Sequence, residues 1–458
     1  MRIVIGILKW LVILVVLAVV AAAGWLYFAP PDLIRVGTGY TAKIVCSSVF
    51  IAGRDPEQVL AVDVQAPGHW LLGYIDVDVD VSEGVVSAAL LGIFGESRAI
   101  DRAGLGCASV PAGSVIEDIS ATPGSVTARQ SPWPQGDLVE PSTDTKIAAI
   151  LDDAELTGPG MRAVVVVHDG RIVGERYGEG FSAATPLLGW SMTKTVNAAI
   201  VGTLVQEGLL ATDQQELFER WDDERAAISL ADMLGMASGL EFNEDYGDVT
   251  DVTRMLYLEP DMAAFAASKP LTAEPGAAFN YSSGTAVMIS RIWQDAIGEP
   301  QNALDYPREA LFDPLGMESA VLEVDASGTF VGSSYLYASA RDWARFGQFL
   351  LGDGEWDGRQ ILPGGFVDWM RRPVPASDGE YGQGQLWLHG PRGGTPEGEE
   401  SDAGFTLPDD AFWAIGHDGQ TITMIPSQNL VVVRLGLTPS KLGYKPQALV
   451  QALVEAVE

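Results

Sequence analysis

Cations are scarce in this chain. Lys and Arg number 28 against 61 Asp and Glu, a formal net charge of −33. Such a field repels nucleic acid and anionic lipid surfaces unless a local basic patch intervenes. The only cations that stand out are Arg2 and Lys9 near the N-terminus. No nucleic-acid partner is expected, and the acidity reads as solubility or adaptation to a salty medium. Histidine is scarcer still. His69, His168, His389 and His417 are the whole set, and none stands in a His-Glu-x-x-His spacing. Neither a metallohydrolase nor any cofactor is expected. A Gly-x-Ser-x-Gly elbow is missing too, which counts against an α/β-hydrolase. No repeat with a period of a few tens of residues is evident.

There are 2 cysteines, Cys46 and Cys107, and neither has a neighbouring pattern that suggests a nucleophile. If their compartment is oxidising, an even count suggests one disulfide closing a long loop; two unpaired core thiols are the alternative.

What is present makes a globular chain: 47% of residues are hydrophobic and 19% charged. A length of 458 residues suggests about two domains plus extras. Arg2 and Lys9 precede an uncharged stretch from Trp10 to Ala29, of the ~20 residues that cross a bilayer as a helix. Cations on the N-terminal side place that end in the cytoplasm, so the body is expected outside it, periplasmic or extracellular. Ala21-Ala22-Ala23 offers the competing reading of a cleaved signal peptide. Trp25, Leu26, Tyr27 and Phe28 continue the apolar run and favour an uncleaved anchor.

Residues 1–30 are thus read as the anchor, and 31–120 as a β-rich accessory domain with strands at Ala42 to Ile51, Tyr74 to Val81 and Val85 to Ile93. The Asp/Val alternation of 74–81 lacks the glycine and distal glutamate of a calcium loop, and is read as a strand with one solvated face. Residues 121–143, with Thr122-Pro123-Gly124 and Ser131-Pro132-Trp133-Pro134, form a linker. From 144 to 458 the pattern changes. A hairpin turns at Asp169-Gly170, helical spacing covers Met192–Gln206, Ala286–Ala296 and Ala338–Leu351, three strands cover Ala411–Ile415, Thr421–Ile425 and Leu430–Leu435, and a last helix starts near Pro446. Strands at both ends around a helical middle predict an α+β fold, an antiparallel sheet with helices packed on it.

Three short motifs carry chemistry. Ser191-Met192-Thr193-Lys194 opens a helix. Residues three apart share a helix face, so the lysine amine reaches the serine hydroxyl. The helix N-terminus favours a developing alkoxide and disfavours the ammonium form, so the amine can take a proton near neutral pH. Tyr281-Ser282-Ser283 follows a Pro275-Gly276 turn; a tyrosine beside a lysine can have its pKa lowered and shuttle a proton. Gly416-His417-Asp418-Gly419-Gln420 lies between two strands, where glycine lets backbone N–H groups approach a carbonyl. Alone, each has an ordinary reading: a serine before a helix, a half-buried tyrosine, a turn histidine.

In this order and separation the motifs resemble the class C β-lactamase and penicillin-recognising serine hydrolase superfamily. Leu230 to Leu240, Leu311 to Met317 and Tyr337 to Gly347 resemble further family phrases, and the resemblance covers roughly Asp144 to Glu458. It implies a β-lactamase/transpeptidase-like fold, with Ser191 as the acylated nucleophile and Lys194 and Tyr281 as the proton-transfer pair. It also implies an oxyanion site at the backbone N–H groups of Ser191 and Gln420, with His417 and Gly419 at the substrate. His417-Asp418-Gly419 stands where β-lactamases have Lys-Thr-Gly, and Ser283 where class C enzymes have asparagine. These departures are more similar to the esterase and 6-aminohexanoate-dimer hydrolase branch, in which a loop tyrosine assists the leaving amine; Tyr246 is nominated for that role. The expected partner is a small amide, ester or short peptide substrate. A D,D-peptidase or β-lactamase, and an idle peptide-binding sensor or scaffold, are the alternatives.

Overall fold

The structure is a computed structural model and describes residues 2–124, 129–396 and 398–457; residues 125–128 of the expected linker lie outside these. The chain divides into two units, one of 1–101, 107–116 and 245–260, the other of 102–106, 117–244 and 261–458.

The first unit begins with helix α1, Arg2–Phe28. Residues Ile3–Phe28 are long and apolar enough to cross a membrane, and none of that apolar window is buried. A helix apolar all round needs protein or lipid about it, and this one is compatible with a signal anchor or a transmembrane helix. Pro30 and Pro31 end it. Helix α2, Asp32–Phe50, follows. The strand expected at Ala42 to Ile51 is therefore incorrect: this segment is helix to Phe50. Its β-branched residues suggest a strand, but residues 41–48 are all buried. Burial on every side erases the period that separates helix from strand, and tertiary packing overrides propensity.

α2 lies on an antiparallel sheet in the order β1-β2-β3-β4, built from β1 Ile75–Asp80, β2 Val85–Leu90, β3 Phe94–Arg102 and β4 Gly106–Val110. In β1 the aspartates Asp76, Asp78 and Asp80 face solvent while Ile75 is buried, the arrangement that its alternation predicts. A disulfide joins Cys46 on α2 to Cys107 on β4, with Cα atoms 6.0 Å apart. The chain returns to this unit at the helix Asp251–Leu258. Gly39 admits it closely: a Cβ there would lie 2.9 Å from Tyr257 Cβ.

The second unit holds a five-stranded antiparallel sheet, built from β5 Met161–His168, β6 Arg171–Tyr177, β7 Phe412–Gly416, β8 Gln420–Ile425 and β9 Leu430–Gly436. Their order is β7-β8-β9-β5-β6. Val164 and Val166 of β5 and Val432 of β9 are buried on one face against Ile147, Leu151, Leu449 and Leu453. Those residues come from the helices α3 Thr145–Asp152 and α7 Gln447–Val457. The other face carries α6, Ala340–Leu351. Gly347 lets α6 settle close on the sheet, since a Cβ there would be 2.5 Å from Val431 Cγ1. Two further helices, α4 Met192–Gln206 and α5 Ser283–Ile297, carry the motifs. This is the predicted α+β architecture.

Asn197 pins α4 to α5. Its Nδ2 donates to Ala286 O (2.9 Å), and its Oδ1 accepts from Ser290 Oγ (3.1 Å) and Trp293 Nε1 (2.9 Å). All are buried, so losing this amide leaves groups unpaired at about 1–3 kcal/mol each. This contact ties the helix that carries Lys194 to the helix that opens at Ser283.

Candidate active site

Ser191 sits at the N-cap of α4 and is partly buried. Trp190 before it takes a left-handed backbone, φ +48°, uncommon for a bulky residue and costly enough to need support from its surroundings. That support comes from both sides. Strand Leu187–Leu188 pairs with Leu336–Ala338, and the Trp190 ring packs on Tyr335 and edge-on against His417, 5.8 Å between centroids. Gly416 at the end of β7 meets the same turn, for a Cβ on it would fall 2.2 Å from Gly189 O. Glycine here brings the β7–β8 connection against the serine's turn.

Lys194 is 1% exposed. Its Nζ donates to Ser191 Oγ (3.1 Å), Ser283 Oγ (3.1 Å) and Ser333 O (3.0 Å), the one-turn reach that the spacing predicts. Burial depresses its pKa to about 8, against the opposing charge of Glu244. The ammonium therefore gives up its proton well below the range of an ordinary lysine.

The Tyr281 hydroxyl lies near enough to Ser191 for the serine to lower its pKa in part, and its ring lies 4.7 Å from Lys194 Nζ. The expectation of a lowered pKa fails. Burial pushes the phenol up, Ser191 offsets part of this, and the Glu244 charge adds to it. The ring is enclosed by Tyr381 (5.9 Å) and Trp387 (5.4 Å), and the lysine meets the ring face rather than the hydroxyl. Tyr281 is thus a neutral phenol beside the serine, suited to relaying a proton rather than to serving as a standing tyrosinate.

Glu244 is the residue that sequence reasoning passed over. Its carboxylate accepts from Ser283 N (2.8 Å) and from Ser283 Oγ, and Ser283 Oγ in turn accepts from Lys194. A chain Glu244–Ser283–Lys194–Ser191 results. Burial raises the Glu244 pKa, against the Lys194 charge and the Ser283 hydrogen bonds. The acid and amine are thus one coupled titrating system. Replacing the acid tests this. Glu244→Gln removes the charge that holds the ammonium, so the ionisation near pH 8 in a kcat/KM profile should move to lower pH by roughly one unit. A limb left in place would show that Glu244 does not couple to the amine.

His417 is half-exposed, with Asp418 Oδ1 3.4 Å from its Nε2. Gly419 has φ +82°. Gln420 begins β8, opposite Gly416. Its side chain closes the turn, Nε2 donating to His417 O (2.9 Å) and Gly436 O (2.7 Å) and Oε1 accepting from Gly436 N (2.7 Å). The backbone that follows His-x-Gly is held rigidly by these bonds. Tyr246 belongs to the first unit and is 45% exposed, whereas Ser191, Lys194, Glu244, Tyr281 and Gln420 belong to the second.

A serine with a buried lysine at the mouth of a helix, on an antiparallel sheet covered by helices, defines a serine hydrolase of the penicillin-recognising type. The model of the family described as Beta-lactamase matches residues 152–446, more than half of the chain, and the chain belongs to that family. A candidate 6-aminohexanoate-dimer hydrolase from Bacillus anthracis shares the fold with a TM-score of 0.52 at 23% identity, over 71% of this chain and 84% of that one. A penicillin-binding protein homologue from Caulobacter crescentus does so with a TM-score of 0.50 at 16% identity, over 70% and 99%. An uncharacterized protein of Alkalihalophilus pseudofirmus is 31% identical over 102 residues. That match spans 22% of this chain and 29% of the relative's length.

Proposed function

We propose that this hydrolase cleaves an uncharged amide or ester through an acyl-enzyme on Ser191, outside the cytoplasm and tethered by its N-terminal helix. The observation that carries the reading is the Lys194 amine, buried, 3.1 Å from Ser191 Oγ and with its pKa brought to about 8. Ser191 Oγ attacks the carbonyl carbon and its proton passes to the neutral amine. The C=O π pair moves onto oxygen, which the Ser191 N–H and the backbone of the His417–Gln420 turn receive. Collapse expels the leaving group with a proton relayed through Tyr281, and water repeats the steps in reverse on the acyl-enzyme.

Substrate preference follows from what surrounds the serine. His417, with Asp418 Oδ1 3.4 Å from its Nε2, stands where Lys-Thr-Gly enzymes present a lysine. Trp190, Trp387 and Tyr281 supply aromatic faces. Both features favour neutral, apolar groups over the carboxylate of a β-lactam or of D-Ala-D-Ala. The resemblance to the 6-aminohexanoate-dimer hydrolase branch points the same way, and Tyr246 remains the nominated aid to an amine leaving group.

The test is labelling of the full chain with a fluorophosphonate, followed by peptide mapping, beside a panel of short esters, amides and a penicillin. The adduct is expected on Ser191, with ester or amide turnover exceeding that of the penicillin. An adduct on Ser282 or Ser283, or none, would sink the reading of the nucleophile. Preferred penicillin turnover would sink that of the substrate.

A further inference from the structure

The four-stranded sheet of the first unit has two unlike ends. At one, the β1–β2 turn sets Val81 among Asp80, Ser82 and Glu83, all exposed. At the other, Tyr74 precedes β1 and the turn Leu91-Gly92-Ile93 joins β2 to β3, and the register brings Ile75, Leu90 and Phe94 side by side. This end is apolar and open: Trp70, Tyr74, Leu91 and Ile93 are each 55% or more exposed. They form one patch. Leu91 N donates to Tyr74 O (2.8 Å), and the Tyr74 ring meets Trp70 edge-on, 6.2 Å between centroids. A hairpin tip in water is ordinarily built from Gly, Asn or Asp. Leu91 instead holds φ +54°, a conformation that a bulky side chain adopts only at a cost. A strained leucine that buries nothing within the fold asks for a surface to meet.

The patch stands where α1 ends. Gly95 packs on the residues that follow α1, for a Cβ on it would lie 2.8 Å from Ile34 Cγ2 and 3.4 Å from Pro30 Cβ. Thr38 Oγ1 holds the contact by donating to Gly95 O (2.6 Å). Ile93 is two residues from this point, about 7 Å of strand. The last turn of α1 exposes Trp25, Tyr27 and Phe28, side chains suited to the boundary between lipid and water. We propose that Trp70, Tyr74, Leu91 and Ile93 enter the interfacial layer of the bilayer that α1 crosses, so that the first unit rests on the membrane as well as being tethered to it. The patch continues the apolar surface of α1, which favours lipid over a second copy of the chain. Its lipid is zwitterionic. Asp76 lies beside the turn, its Oδ2 3.3 Å from a Cβ placed on Gly92, and the chain carries −33, so burial of apolar surface rather than attraction to anionic headgroups drives the contact. The inference rests on the reading of α1 as a tether.

The experiment reconstitutes the full chain into phosphatidylcholine vesicles with one nitrobenzoxadiazole label, carried by Ile93→Cys, Glu83→Cys or Val16→Cys. Cys46 and Cys107 are closed in their disulfide and stay unlabelled, and all three labelled positions are exposed, so the fold tolerates the changes. Two quenchers are compared: a phosphatidylcholine with a nitroxide on its acyl chain, and iodide on both sides of the bilayer. The Ile93→Cys label is expected to shift its emission to the blue, lose most of its intensity to the nitroxide lipid, and resist iodide several-fold better than the Glu83→Cys label at the far end of the sheet. Equal iodide quenching at the two positions overturns the proposal. A label at Ile93→Cys that is shielded from iodide yet untouched by the nitroxide lipid overturns it as well, and gives the patch to a protein partner. The Val16→Cys label, in the middle of α1, reads the tether by itself. Nitroxide quenching is expected there whatever the patch does, and its loss overturns the tether reading beneath the proposal.

Discussion

Ser191→Ala lowers kcat/KM by on the order of 10⁴-fold or more on every substrate that the wild type turns over, the scale lost when a nucleophile is deleted. The residual rate comes from binding and the backbone of the oxyanion site, which the substitution leaves in place. The change removes one oxygen from a partly buried position. The hydrogen bond lost is the one from the Lys194 amine, so the fold is expected to survive, and circular dichroism checks this. Fluorophosphonate labelling should vanish with the activity. A variant that kept activity within tenfold of wild type would place the nucleophile elsewhere.

Lys194→Met has the second largest effect, a fall in kcat on the order of 10³-fold, within the range that a positioned base supplies. The pH dependence identifies the role. The amine accepts a proton only when neutral, and its pKa is brought down to about 8 by burial. In the wild type, kcat/KM should therefore rise with pH through about 8 and level off above it. Methionine fills a similar volume without a titrating group, so the remaining rate should lose this limb. The cost in stability is that of leaving Ser283 Oγ and Ser333 O without their donor, about 1–3 kcal/mol each. A limb that persists in Lys194→Met would assign the ionisation to another group.

The parts of the site that were legible in the sequence are those whose geometry is local. Ser191 and Lys194 are one helical turn apart, and α4 runs over the residues that the apolar spacing predicts, Met192–Gln206. Tyr281 lies two residues before α5, and Gln420 opens β8. The sheet was equally legible because β5, β8 and β9 are short β-branched runs between turn residues. Glu244 was not. One carboxylate among 61 Asp and Glu carries no local signal, and its partner Ser283 lies on another element. Tyr246, two residues on, carries the aromatic ring that such a loop makes visible. Helix α2 was misread for a different reason: a segment buried on all sides has no polar face from which to read a period.

The first unit is not a detachable prefix. The chain leaves the catalytic body immediately after Glu244, spends residues 245–260 in the first unit, and returns at Asp261. Within that excursion Val252, Met255, Leu256 and Tyr257 are buried, and Tyr257 meets Gly39 and Tyr40 of α2. Cutting away the N-terminal third to obtain a soluble hydrolase would strip the cover from this helix while leaving it joined through residues 245–250 to Glu244, the acid beside Ser283. The shortened enzyme should therefore aggregate, or titrate differently, for reasons unrelated to a lost membrane tether. An anchorless protein that begins at Asp32 keeps the excursion housed and is the form to assay.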